Sequence, residues 1–115
     1  MKIVINKKYG SFSLSEEAVL FYGDKKGLNI IAKQDEVIKD LNHYYLNEEK
    51  EENSFCEWNI KRNDPVLVEV VEQLGDLANS CYTKLKIVEV PDDVKWYIHN
   101  YYGNEEVHEE HRKWS

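Results

Sequence analysis

Asp64-Pro65-Val66-Leu67-Val68-Glu69-Val70-Val71-Glu72-Gln73-Leu74-Gly75 is the stretch that organises the rest of the chain. Asp is a preferred N-cap and Pro suits the first helical position, where its missing N–H costs nothing. Leu67, Val70, Val71, Leu74 and Ala78 then recur at helical spacing, opposite Glu69, Glu72, Gln73 and Asp76. That is one apolar stripe on an amphipathic helix, and Gly75 interrupts or ends it.

Working outward, Leu85–Val90 reads as a strand stopped by Pro91-Asp92-Asp93. Val94–Tyr101 alternates, with Trp96 and Ile98 on one face and Tyr97, His99 and Tyr101 on the other. Tyr102-Gly103-Asn104 forms a turn, and Glu105–Trp114 returns as its hairpin partner. Towards the N-terminus, Cys56, Trp58 and Ile60 alternate with Glu57, Asn59 and Lys61, which suggests a strand. Val37, Ile38, Leu41, Tyr44 and Tyr45 follow helical spacing, so a helix is expected over Asp35–Leu46. Leu28–Lys33 reads as a short strand. Ser13 with Glu16 fits a capping box that opens a helix carrying Leu14, Ala18, Phe21 and Tyr22, broken at Gly23–Gly27. Lys2–Asn6, with three consecutive β-branched residues, reads as a strand covered on both faces. The expectation is an α+β fold, residues 1–115 forming one domain. It would be mainly an antiparallel sheet of about 4–6 strands with two or three helices packed on it.

The chain has 115 residues and a formal charge of −7. Glu48–Glu52 supplies −3 of it, and Glu105, Glu106, Glu109 and Glu110 supply −4, leaving 14 acidic and 14 basic residues elsewhere. Binding to nucleic-acid backbones needs a clustered positive field, which this chain lacks. No apolar run approaches the ~18–20 residues that span a bilayer. Met1–Asn6 is too short for a signal-peptide core, so a cytoplasmic protein without membrane partners is expected. Cys56 and Cys81 are isolated and read as reduced thiols, although sequence alone leaves their pairing open.

Several blocks together resemble a family of small phage and prophage proteins. They are Lys2-Ile3-Val4-Ile5-Asn6, then Tyr9-Gly10-x-Phe12-x-Leu14-Ser15-x-x-Ala18, then the Asp64–Asn79 helix. Leu85-x-Ile87-Val88-Glu89-Val90-Pro91-Asp92 and Trp96-x-Ile98 with His111-Arg112-x-Trp114 complete the set, covering roughly two-thirds of the chain in collinear order. The chain departs from the family pattern at Lys8, Ser11 and Ser13, where a Cys and glycines are usual, and its middle segment is shorter. The resemblance implies phage origin and action inside a bacterial host cell, and assigns no chemistry.

Candidate sites follow from the residues. Asn6–Ser13 leads from a strand into a helix N-terminus, a natural anion cradle, with Lys7, Lys8, Tyr9, Gly10 and Phe12 as ligand-binding candidates. It lacks the glycine spacing of a phosphate-binding loop, and an ordinary connection with Phe12 in the core is the alternative. Trp96 and Trp114 would stack a nucleobase with Arg112 nearby to meet a phosphate, and His111 is a further ligand-binding candidate. Their alternative roles are core packing for Trp96 and a terminal clamp for Trp114. His108 and His111 would face opposite sides of a strand, which argues against a shared metal. Arg62 is expected to pair with a carboxylate. No catalytic constellation, metal set or cofactor motif stands out. The function expected is a non-enzymatic, homo-oligomeric binding protein that sequesters a small host immune signal, a cyclic or ADP-ribose-derived nucleotide. The alternative is a protein-interaction module that inhibits a host enzyme directly.

Overall fold

The computed structural model describes residues 1–38 and 41–109. Seven strands and two helices run in the order β1 (Lys2–Asn6), α1 (Glu16–Lys26), β2 (Ile30–Gln34), β3 (Asn42–Leu46), β4 (Ser54–Phe55), α2 (Pro65–Leu74), β5 (Leu85–Glu89), β6 (Trp96–Tyr101) and β7 (Asn104–Glu109). The fold is α+β, as the sequence implies. The strands do not join into one sheet, however. They form three small antiparallel sheets, β1–β5, β2–β3–β4 and β6–β7.

The core is built where α2 meets β1 and α1. The Asp64 carboxylate accepts the Val66 N–H at 2.9 Å, capping α2, and the helix stops at Gly75 (φ 57°) before a short 3-10 turn over Gly75–Ala78. The expected stripe faces inward, with Leu67, Val70 and Ala78 fully buried and Val71 nearly so. They meet Val4 of β1 and Ala18 and Val19 of α1, all closed to water. Ile3 and Ile5, also buried, lie on the opposite face of the strand. Each buried Val, Leu or Ile among them contributes roughly 1.5–3 kcal/mol. β1 runs antiparallel to β5 with Lys2 opposite Glu89 and Asn6 opposite Leu85. On its other edge, the Val4 N–H donates to the Arg62 carbonyl at 2.8 Å and the Asn6 N–H to Glu105 Oε1 at 2.8 Å.

Five local expectations are corrected. α1 is capped by Ser15, whose Oγ accepts the Ala18 N–H at 3.1 Å, and not by Ser13. Leu14 is drawn into an isolated antiparallel bridge with Asn79, so the helix cannot start earlier. α1 also runs through Gly23 and ends at Gly27, which is left-handed (φ 71°). Gly23 serves close packing: a Cβ there would press into the Ile30 side chain at 2.6 Å.

The helix expected over Asp35–Leu46 is absent among the described residues. Asp35 Oδ1 accepts the Val37 and Ile38 N–H groups at 2.8 and 2.7 Å, turning the chain, and β3 pairs with β2 from Gln34↔Asn42 to Ile30↔Leu46. Val37 is 92 % exposed, so the apparent apolar stripe never formed a buried face.

The strand expected at Cys56–Ile60 is a 3-10 turn over Glu57–Asn59 following the two-residue β4. This inverts the expected faces: Glu57 is 7 % exposed and Trp58 is 60 % exposed. In the last hairpin the turn is Tyr102-Gly103, and Asn104 already begins β7. Among the described residues, no helix is long and apolar enough to cross a membrane.

Candidate functional site

A cleft of about 550 Å³ opens where three segments meet: Gly10–Ser15 with Glu16 at the start of α1, Leu41–Tyr44 entering β3, and Asn79–Tyr82 after α2. Glu57 and Trp58 complete its wall. Of the segment from Asn6 to Ser13, Gly10, Ser11, Phe12 and Ser13 line this cleft.

Aromatic rings make up much of the lining. Phe12 and Tyr44 are each 6 % exposed and form the inner wall, while Trp58 and Tyr82 stand nearer the solvent. The polar groups beside them are mostly occupied. Ser13 and Ser80 share a hydrogen bond of 2.6 Å, Ser15 donates to the Leu77 carbonyl at 2.6 Å, and Asn79 Oδ1 accepts the Leu85 N–H at 2.7 Å.

Glu57 is the exception. Its Oε2 is buried and has no hydrogen-bond partner among the described residues. Burial removes the carboxylate from water and pushes its pKa up to about 7. Burial first, then the nearby Glu57 charge, push the Tyr44 hydroxyl up to about 12, with a hydrogen bond from Asn42 pulling the other way. The charged residues lining the cleft are Glu16 and Glu57, and among the described residues no Lys or Arg lines it.

The residues singled out from sequence are dispersed around this cleft. Gly10 and Phe12 line it. Lys8 lies at its rim, donating from Nζ to the Cys81 carbonyl at 3.1 Å, and Tyr9 is 65 % exposed. Lys7 turns away and donates to the Glu105 carbonyl at 2.9 Å. Phe12 is packed beneath the Arg62 guanidinium, 3.5 Å from ring centroid to Cζ. Trp96 sits in β6 opposite Glu109 and is not part of the cleft wall. His111, Arg112 and Trp114 lie outside the described residues. Arg62 has the carboxylate partner expected of it, Glu105. His108 stacks on His99 with ring centroids 5.1 Å apart, and its Nε2 meets Glu106 at 2.9 Å on the exposed face of the hairpin. Among the described residues, no group of three His, Cys, Asp or Glu side chains is placed to hold a metal ion.

Sequence reasoning passed over Glu57, Tyr44 and Asn42. Glu57 follows Cys56 in an alternating run, and alternation assigned it to solvent; only the 3-10 turn reveals that it points inward. Comparison with family models, with curated proteins and with solved structures finds no match to this chain.

Proposed function

We propose that the protein is a non-enzymatic binding protein that captures a small nucleotide and holds it intact. The observation that carries this reading is the cleft itself: aromatic walls, a buried carboxyl whose Oε2 has no hydrogen-bond partner among the described residues, and about 550 Å³ of space. Small-molecule sites run to ~300–1,000 Å³, mostly apolar with a few convergent polar groups. A flat nitrogen-containing ring fits between Phe12, Tyr44 and Trp58. The phosphates remain outside the acidic cleft, where Lys8 stands at the rim.

The phage resemblance supports placing this capture in a bacterial host's cytoplasm, with an immune nucleotide as the target. A homo-oligomer suits the same reading, since one small chain encloses little by itself and a second copy would close the mouth. The test is to incubate the protein with a mixture of nucleotide signals, remove it, denature it by heat and analyse what is released. Intact nucleotide supports capture, and an altered product overturns it in favour of an enzyme.

A second reading has its own observation. Tyr9, Tyr82, Tyr101 and Tyr102 are 65, 51, 59 and 77 % exposed around the contact between Gly10 and the Tyr102 carbonyl. Tyrosine-rich surfaces suit protein interfaces, so direct inhibition of a host enzyme is the alternative. In the release assay this alternative predicts no depletion of any nucleotide.

A further inference from the structure

We infer that Glu57 selects the captured ring by its donor edge, and that the cleft takes a guanine-type base whose ring N–H and adjacent amino group face the Glu57 carboxylate. The inference rests on the reading of the cleft as a nucleotide site and adds the edge chemistry of the ligand.

Three observations carry it. Glu57 is 7 % exposed, lines the cleft, and its Oε2 accepts no hydrogen bond among the described residues. A buried acceptor left in that state is costly until a donor meets it. The hydroxyls of Ser13, Ser15 and Ser80 are committed elsewhere, so they do not supply that donor. The charge on the cleft wall is negative only, from Glu16 and Glu57. A ring edge placed against this wall therefore brings donors.

A carboxylate is acceptor-only and takes two parallel N–H bonds well, each strengthened by its charge. Guanine offers that pair on neighbouring atoms. Adenine and cytosine place an acceptor beside the amino group, and uracil flanks its single N–H with two carbonyls; each sets an acceptor against the carboxylate.

The protonation behaviour of Glu57 agrees with the geometry and makes it testable. Burial holds the carboxyl near neutrality, with a pKa of about 7. Guanine-type binding uses the ionised form, so affinity rises with pH through that range. The other titratable groups on the cleft wall are Glu16, Tyr44, Cys81 and Tyr82, none of them a base that would reverse this trend.

The experiment is calorimetric titration of the full chain with guanosine, inosine and adenosine monophosphates at about pH 8, above the Glu57 pKa. Inosine lacks only the exocyclic amino group, so it binds about tenfold more weakly than guanosine, and adenosine more weakly still. In Glu57→Gln the guanosine preference collapses. Equal binding of guanosine and inosine, or tighter binding of adenosine, overturns the donor-edge inference while leaving nucleotide capture standing. Binding of none of the three overturns the capture reading and the inference with it. If Glu57→Gln does not fold, the wild-type ranking and the pH trend decide: as the pH drops from about 8 to about 6, guanosine affinity must fall further than adenosine affinity, whose phosphate titrates alike.

Discussion

Arg62 grips Glu105 with both arms of its guanidinium, Nη1 to Oε1 at 2.6 Å and Nη2 to Oε2 at 2.9 Å. The Glu105 side chain is only 3 % exposed and Arg62 only 17 %. The same Glu105 Oε1 accepts the Asn6 N–H, and the guanidinium face covers the Phe12 ring. One ion pair thus ties the last hairpin, the first strand and the cleft wall together.

Removing one partner of such a pair strands the other in a poorly solvated site. Arg62→Ala is expected to destabilise the protein by about 3–5 kcal/mol, read from denaturant unfolding. The loss should exceed that of Lys25→Ala, whose pair with Glu69 is surface-exposed and worth about 0–1 kcal/mol. Equal losses would show that the Arg62 pair is not held in the closed geometry described.

Gly103 has φ 93° and lies directly against the Gly10 backbone, where a Cβ would collide with the Gly10 peptide group. Gly103→Ala therefore adds a clash to the strain of a left-handed backbone, costing more than ~1–3 kcal/mol. Gly27→Ala is the control, with φ 71° but open space around it. Its cost should stay near ~1 kcal/mol, as for an ordinary left-handed helix end. Thermal melting of both variants checks the difference.

Glu57 makes stability fall with rising pH. Its carboxyl has a pKa of about 7 when folded, against 4.5 for an ordinary exposed glutamate. Between those values the folded state binds more protons than the unfolded one, so stability declines as pH rises through the window and levels off above it. Glu57→Gln removes the penalty and should raise stability above about pH 7 by at most about 3 kcal/mol. Urea melts at several pH values would show the wild-type and variant curves converging towards acid. Parallel curves would mean that the carboxyl is hydrated.

Asp64 works in the opposite direction. Burial alone would raise its pKa, but the Tyr22 hydroxyl (2.7 Å), the Val66 N–H and Lys26 outweigh that and lower it. Its contribution is therefore present above the ordinary carboxylate pKa and is lost as pH falls through the lowered value. Asp64→Ala, which also removes the α2 cap, should cost about 1–2 kcal/mol or more near neutral pH. The deficit relative to wild type should shrink in acid.

The parts of the fold legible in the sequence were those with strong local signals that agreed with their surroundings. Asp64-Pro65 and the stripe behind it gave α2, three β-branched residues gave β1, and alternation gave β6 with Trp96 and Tyr97 on opposite faces. The failures lie where local signals were degenerate. Ser13 and Ser15 both precede the helix, and only the Leu14–Asn79 bridge decides between them. Val37 through Tyr45 has helical spacing, yet Tyr44 and Tyr45 are also good strand residues, and pairing with β2 prevails. The cleft was half visible, through Gly10 and Phe12. Its chemistry was not, because Glu57 is carried inward by a single 3-10 turn whose sequence resembles the end of a strand.

The division into three separate sheets has a mechanical consequence. The β6–β7 ribbon bonds along its length only to itself, and its bonds to the rest of the described chain gather at the turn end, through Tyr102, Gly103 and Glu105. Its other end is joined to β5 by the short link of residues 90–95, so the ribbon is tethered at that link and latched at its turn. Swinging the turn away requires no sheet to tear, only the release of the few contacts there, and Arg62 is the bolt.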